Sequence, residues 1–479
     1  MLLFPRNHLM VFFLFLAFAL VLRVFSFYPL VLDHDESTYL VIADALNNGK
    51  IYLVDVIDTK PIGIFWIYGV ILKVFGKSIV ASRIIACVVL AISSLLIYQL
   101  QLKWNSNKTT AILSGCFYIF MLSLFKRWGI SPNTEIYFNL FNLLAIYLLL
   151  IYDKRFLNVF AGISIGIAFH IKYVAAADLT ALLLFLSVTA VREKQFLKFI
   201  FGRILYISIG FLICSGSVLY YYTQNDALDE FLYYTFRVTG NYTSSFKPIQ
   251  LILFFGDFFL RFFPITILMI LYIRSQEFRS DAMSLFLIFW IILDLCIILI
   301  PGKYYEHYYI QIFPVCCIVA GKYFNTVPGF NIFKFFTSFK LKFILAFMLL
   351  ALLFEHYTGF IKKPEMLRET LKVLQNHIKA TDEIYTSNAH HILYFLLDKE
   401  SPSPYIHSSL LWNEKHRNTL QLNGILEIEN ILAKHPDYIV WSISDQDIEM
   451  QKRLLKDYSL FHSIQERMLI YRRNDSNSK

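Results

Sequence analysis

Charge is what this sequence has least of. Only 16% of its 479 residues are Asp, Glu, Lys or Arg, while 57% are hydrophobic; soluble domains carry about a quarter charged residues. That balance excludes a large soluble protein and points to a polytopic membrane chain. Cysteine is also scarce. Cys87, Cys116, Cys214, Cys296, Cys316 and Cys317 all lie in apolar stretches, which is buried-thiol usage with no disulfide framework and no metal spacing. There is no internal repeat and no low-complexity linker. No basic stripe is interleaved with exposed aromatics in a polar segment, so the net charge of +9 is not a nucleic-acid signature. The apolar run after Arg6 lacks a small-residue cleavage site and reads as an uncleaved signal-anchor.

What is present is a series of long apolar runs. A span needs roughly 20 apolar residues, and by that rule about eleven candidates occur: 9–30, 79–101, 109–125, 134–152, 156–173, 174–191, 204–222, 249–273, 283–300, 305–321 and 342–359. With the amino terminus cytoplasmic, the inside connections hold Lys103 and Lys108, Lys154 and Arg155, Arg192 to Arg203, Arg274 and Arg279, and the basic residues from Lys322 to Lys342. Each is basic, as the positive-inside rule requires. An odd number of spans leaves the tail outside.

Outside, residues 31–78 form the longest loop. Ser37–Asn48 predicts a juxtamembrane helix closed by Gly49. After Lys60-Pro61, Ile62–Phe75 is too short to span and predicts an interfacial or re-entrant helix. The tail, 361–479, becomes polar. It alternates a helical stretch (Met366–Lys379) with strand-like ones (Glu383–Thr386, Tyr438–Trp441, Met468–Tyr471). The expected organisation is therefore a membrane domain, 1–360, and an extracytoplasmic α/β domain, 361–479, of ordinary domain size.

Against the orientation bias, Lys60, Lys126, Arg127, Lys172 and Lys303 face outward in or beside short segments. On the same face lie Asp33, Asp35, Glu36, Asp58, Glu135 and His307. Charge beside hydrocarbon is costly and is usually functional. Acids and bases from separate loops on one membrane face suggest a site that uses a carboxylate and holds an anion. Sugar transfer from a polyprenyl phosphate to an acceptor hydroxyl fits. The lipid tail explains a site at the bilayer surface, and the cations would neutralise the leaving phosphate. A phosphate leaves without protonation, so one carboxylate suffices as general base, unlike the acid and base pair of a glycosidase.

The residues also carry a resemblance. DHDESTYLVIADALNNGKIYLVDVIDTKPIGIFWIYGVILKVFG resembles the first external loop of the protein mannosyltransferase-like GT-C glycosyltransferases, most closely the bacterial branch that includes lipid A aminoarabinose transferases. Asp35-Glu36 matches the Asp-Glu pair opening a juxtamembrane helix, and Lys60-Pro61 the Lys-Pro pair opening a second. SPNTEIY matches an Asn-Thr-Glu span start at Asn133, Thr134 and Glu135. YYEHYYIQIFPVCCIVAG matches a His-Tyr start at His307 and Tyr308. The resemblance implies a GT-C fold and an inverting transferase with a polyprenyl-phosphate sugar donor. It implies Asp35 as base and Lys60 as ligand of the donor phosphate, helped by Lys172, Lys303 and His307. Asp58, Glu135, Arg127 and Tyr308 complete the candidate binding set. The lipid A branch has an acidic residue directly before its Lys-Pro, where this chain has Thr59, so an aminoarabinose donor and a lipid A acceptor do not follow.

Each residue has a plainer reading. Asp35 fits the cap of a helix starting at Glu36, with Glu36 favouring the dipole from the first turn; capping and catalysis are compatible for Asp35, and Glu36 is a second catalytic candidate. Asp33 and His34 read as solvated loop residues. Lys126 and Arg127 fit headgroup anchors, and Lys172 fits a snorkelled cation. Asp294, an acid within a span, reads as paired with a base such as Arg23 or Arg261, or as part of an ion path. A divalent metal, Mg or Mn, stays open as cofactor. The expected partners are membrane lipid, the donor, and a lipid, glycan or protein acceptor, with no nucleic acid. The competing class is a transporter or flippase of a lipid-linked envelope substrate, though no symmetry between halves is visible.

Overall fold

A computed structural model of the chain describes residues 6–104, 106–124, 128–238, 247–300, 302, 304–327, 339–362, 365–387, 390–407, 409–442 and 447–474. The chain divides into two units, one of Met1–Phe27, Arg83–Tyr220 and Thr243–Phe360, the other of Tyr28–Ser82, Tyr221–Tyr242 and Ile361–Lys479. The second unit thus gathers Tyr28–Ser82 with the polar tail.

The first unit is helical and apolar. Segments His8–Phe27, Ile79–Lys103, Thr134–Ile151, Tyr173–Arg192 and Phe196–Gln224 are each long and apolar enough to cross a membrane, and the chain is a multi-pass membrane protein. Lys108–Leu124, Arg155–Ile171, Ser284–Leu299 and Ala346–Phe360 are shorter apolar helices. The run expected as one span at 249–273 is instead two helices, Pro248–Arg261 and Phe263–Arg274, bent by 91°. Pro264 stands in the first turn of the second helix, where its ring and missing N–H stop the preceding helix from continuing. The run at 305–321 begins as a 3₁₀ turn, Glu306–Ile312, before the α-helix Phe313–Lys322.

Close packing between Arg155–Ile171 and Leu205–Gln224 depends on glycine. A Cβ at Gly162 would stand 2.0 Å from the Ile207 carbonyl oxygen, and one at Gly210 2.0 Å from that of Val159. Small residues at such crossings let backbones approach where no hydrophobic force drives association. Gly210→Val should therefore destabilise the protein by about 1–3 kcal/mol or more. The check is the unfolding midpoint in detergent, and an unchanged midpoint would contradict this packing.

A polar network is buried in the same unit. Asp178 accepts hydrogen bonds from the Trp290 indole (2.6 Å), Asn142 (2.8 Å) and Gln311 (3.2 Å), and the Gln311 amide also reaches Asp294 at 3.2 Å. This corrects the expected partner of Asp294. Arg23 is spent on the carbonyls of Ile130 and Gly129, and Arg261 on Asp257 one turn away. The amide donor costs less to bury than a guanidinium.

In the second unit, helix His34–Asn47 packs against Gly63–Phe75 and against Ile392–Leu397. Asn47 pins the first pair by donating to the Gly69 carbonyl at 3.0 Å. Gly63–Phe75 buries Ile64, Phe65, Tyr68, Ile71 and Leu72 and exposes Trp66, Val70 and Val74, an apolar ridge at helical spacing. Its 13 residues reach about 20 Å, short of a bilayer core.

The tail forms a four-stranded sheet ordered β1-β2-β4-β3, with β1 Ile384–Thr386, β2 Tyr438–Ser442, β3 Tyr458–Ile464 and β4 Met468–Arg473. β1 pairs parallel to β2, and the other pairs are antiparallel. Strand β3 had no signal in the sequence reading, because its central residues are mostly exposed and Ser459, His462 and Ser463 break an apolar alternation. Trp412 and Trp441 meet edge to face, with Ile428, Ile431 and Leu454 in the same core.

Candidate active site

The site begins at a helix cap. Asp33 is extended and accepts the Glu36 backbone N–H at 2.8 Å, so the helix starts at His34, earlier than the capping reading of Asp35 placed it. Asp33 is buried rather than solvated, while His34 is exposed. The physical reason is the spacing: an N-cap oxygen reaches the N–H three residues on. Asp35 is thereby released from capping. Glu36 is buried, and its carboxylate is 3.4 Å from the Leu32 N–H, behind the helix start.

Asp35 instead meets Lys60. Lys60 Nζ donates to Asp35 Oδ1 at 2.8 Å and lies 3.4 Å from Asp58 Oδ2. It also sits over the Tyr39 ring, 5.4 Å from its centroid. Asp58 is 2% exposed, and Lys60 and Asp35 are 16% and 17% exposed, so solvent screens these charges weakly. The turn carrying them is held from inside. Tyr52 Oη bonds the carbonyls of Asp58, at 3.0 Å, and Lys60, and the Ile57 N–H bonds the Pro404 carbonyl at 2.7 Å. Two carboxylates around one ammonium carry a net negative charge, so an anion entering here must compete with Asp35 and Asp58 for Lys60.

The remaining described candidates form a second group, within the other unit. Glu135 opens helix Thr134–Ile151 and is buried. Lys172 Nζ meets its Oε1 at 2.5 Å, and the Thr134 hydroxyl donates to its Oε2 at 2.9 Å. Lys172 is the extended residue between helix Arg155–Ile171 and the 3₁₀ turn Tyr173–Ala175, which puts the side chain at a break in the span. Its ammonium lies over the Tyr308 ring at 4.8 Å, and His307 stands between Tyr308 and Trp128, at 4.7 and 4.9 Å. Lys172 is thus an ion-pair partner, not a snorkelled cation. Removing it by Lys172→Met strands Glu135 and should cost about 3–5 kcal/mol. Glu135→Gln in addition should recover most of that loss, read as unfolding midpoints in detergent. A single variant as stable as wild type would refute the pair.

Arg127 and Lys303, with Lys126, lie outside the described residues. Among the described residues no three His, Cys, Asp or Glu side chains form a metal-holding set.

One group escaped sequence reasoning. His407, from the tail, places Nε2 3.8 Å from Asp35 Oδ1. His34 and His391 flank its ring at 6.1 and 5.7 Å. Burial lowers the His407 pKa, opposed by Asp35 and Asp58 and reinforced by Lys60. No local motif marks this histidine. It arrives beside the site through the bridge of Tyr405 to Ile57, a long-range pairing.

Residues 59–221 match the family model described as dolichyl-phosphate-mannose-protein mannosyltransferase, a minority of the chain. No curated protein sequence matches it. Among solved structures the chain is similar to ArnT from Cupriavidus metallidurans bound to undecaprenyl phosphate, with a TM-score of 0.67 and 14% identity over 97% of this chain and 98% of that one. The same protein in the apo state gives 0.66 and 13%, over 96% and 97%. At such identity the likeness is one of fold.

Proposed function

We propose that this chain, which has the GT-C fold and is of the protein mannosyltransferase-like type, is an integral membrane glycosyltransferase. It moves a sugar from a polyprenyl-phosphate donor to an acceptor hydroxyl on the outer side of the membrane. The observation that carries this reading is Lys60 bridging Asp35 and Asp58 at 2.8 and 3.4 Å. A donor phosphate can draw Lys60 from Asp35 while the ammonium stays beside Asp58. As the ammonium turns to the phosphate, Asp35 loses its cation and becomes the stronger base. The acceptor hydroxyl then attacks the anomeric carbon as its proton passes to Asp35. The bond to phosphate breaks with its electron pair going to the oxygen that Lys60 neutralises. Attack from the face opposite the leaving group inverts the anomeric centre.

The lipid donor draws support from the solved relative, which binds undecaprenyl phosphate. In this reading Lys172, His307, Tyr308, Glu135, Arg127 and Lys303 contribute to holding donor or acceptor. Glu36 supports the helix start that presents Asp35. The membrane domain, 1–360, lies in a bacterial inner membrane with its amino terminus cytoplasmic, supported by the basic inside connections. The tail, 361–479, is extracytoplasmic and recognises the acceptor.

The test is purified protein with a panel of polyprenyl-phosphate sugars and envelope extract as acceptor source. One donor should release free polyprenyl phosphate while its sugar appears on an acceptor. Movement of intact lipid-linked sugar across sealed vesicles, with no release from any donor, would favour the flippase reading instead.

A further inference from the structure

The His407 ring has its tautomer fixed by its surroundings. The Ser409 backbone N–H donates to Nδ1 at 3.3 Å, and the Ser409 hydroxyl lies 2.7 Å from the same nitrogen. A backbone N–H can only donate, so Nδ1 carries the lone pair and the neutral ring carries its proton on Nε2. That N–H nitrogen lies 3.8 Å from Asp35 Oδ1, the oxygen that also accepts from Lys60. The distance is too long for a hydrogen bond, while Lys60 donates to the same oxygen at 2.8 Å. The segment around His407 is anchored to the loop that carries Asp58 and Lys60 through the Ile57–Pro404 hydrogen bond, so His407 is registered to the charged turn itself.

We infer that His407 is a positioning residue for Asp35, taking over the carboxylate when a donor phosphate draws Lys60 away. The inference rests on the transferase reading above and deepens it. An exchange of ammonium for a neutral N–H donor keeps Asp35 oriented while removing the cation that weakens it as a base. His407 keeps its own proton throughout; the acceptor's proton goes to Asp35. The groups facing the ring are Asp35, Asp58, Lys60, His34 and His391.

The experiment compares wild type, His407→Ala, His407→Gln and Asp35→Asn in polyprenyl-phosphate release across pH. His407→Ala should lower kcat by about 10²-fold through misplacement of the base, leave the donor KM unchanged, and move the acid limb of kcat to higher pH, since an N–H donor to the ionised carboxylate is lost. His407→Gln, whose amide N–H reaches the same place, should restore kcat and the limb. Should His407→Ala not fold, a loss of kcat in His407→Gln overturns the inference and retention supports it. Wild-type kcat in His407→Ala, or a loss confined to KM, also overturns it. If Asp35→Asn keeps activity, the base assignment itself falls and this inference with it. If Asp35→Asn is inactive and His407→Ala is not impaired, only the inference falls.

Discussion

Asp35→Asn is expected to reduce kcat by about 10²–10⁴-fold, the usual range for loss of a general base, with the donor KM nearly unchanged. The substitution is close to isosteric, and its amide oxygen can still accept from Lys60. The helix start does not depend on it, because Asp33 supplies the cap. A folding defect is therefore not expected, and the loss should lie in the chemical step. What asparagine lacks is a site for the acceptor's proton. The comparison is made on protein of equal unfolding midpoint at saturating donor. An asparagine variant with wild-type kcat would remove Asp35 from the mechanism and leave Asp58 or Glu36 to be considered.

Lys60→Ala is expected to be as damaging by a different route. One charge-stabilising donor removed from a leaving group costs about 10²–10³-fold in kcat, and the donor KM should rise as well, since the ammonium also binds the ground-state phosphate. The lost cation has a second effect. Asp58, 2% exposed, and Asp35, 17% exposed, would then lose the ammonium that both contact, leaving the turn more negative and opposing entry of the donor phosphate. Lys60→Arg should fall between the two, because it keeps the charge but changes the geometry. Kinetics over a donor series check this: Lys60→Ala should move kcat and KM together, where Asp35→Asn moves kcat alone. A Lys60→Ala variant with unchanged KM would mean the phosphate is held elsewhere.

What could be read from the sequence was what is local. The apolar runs were legible because length and hydropathy decide whether a segment can enter a bilayer, and most of them fall on the helices observed. Asp35, Lys60 and Asp58 lie within one loop, so their clustering is legible in the sequence. The cap was misread by two residues because any of several acids in Asp33-His34-Asp35-Glu36 can serve, and only the backbone chooses. The bend at Phe262 was hidden because the run 249–273 stays apolar on average despite Asp257 and Arg261, although Pro264 was the available sign. Asp294 found an amide rather than an arginine, since pairing inside a helical bundle depends on rotation about helix axes. His407 was beyond reach for the same reason: a single histidine in a polar tail acquires its meaning only from the bridge between Tyr405 and Ile57.

The most direct test of the account is release of polyprenyl phosphate by wild type and Asp35→Asn, measured side by side in reconstituted vesicles with the donor found to be used and its acceptor present. The account predicts steady release coupled to sugar transfer in wild type, and release reduced at least about 10²-fold in the variant with donor binding intact. Equal release by the two proteins would contradict it.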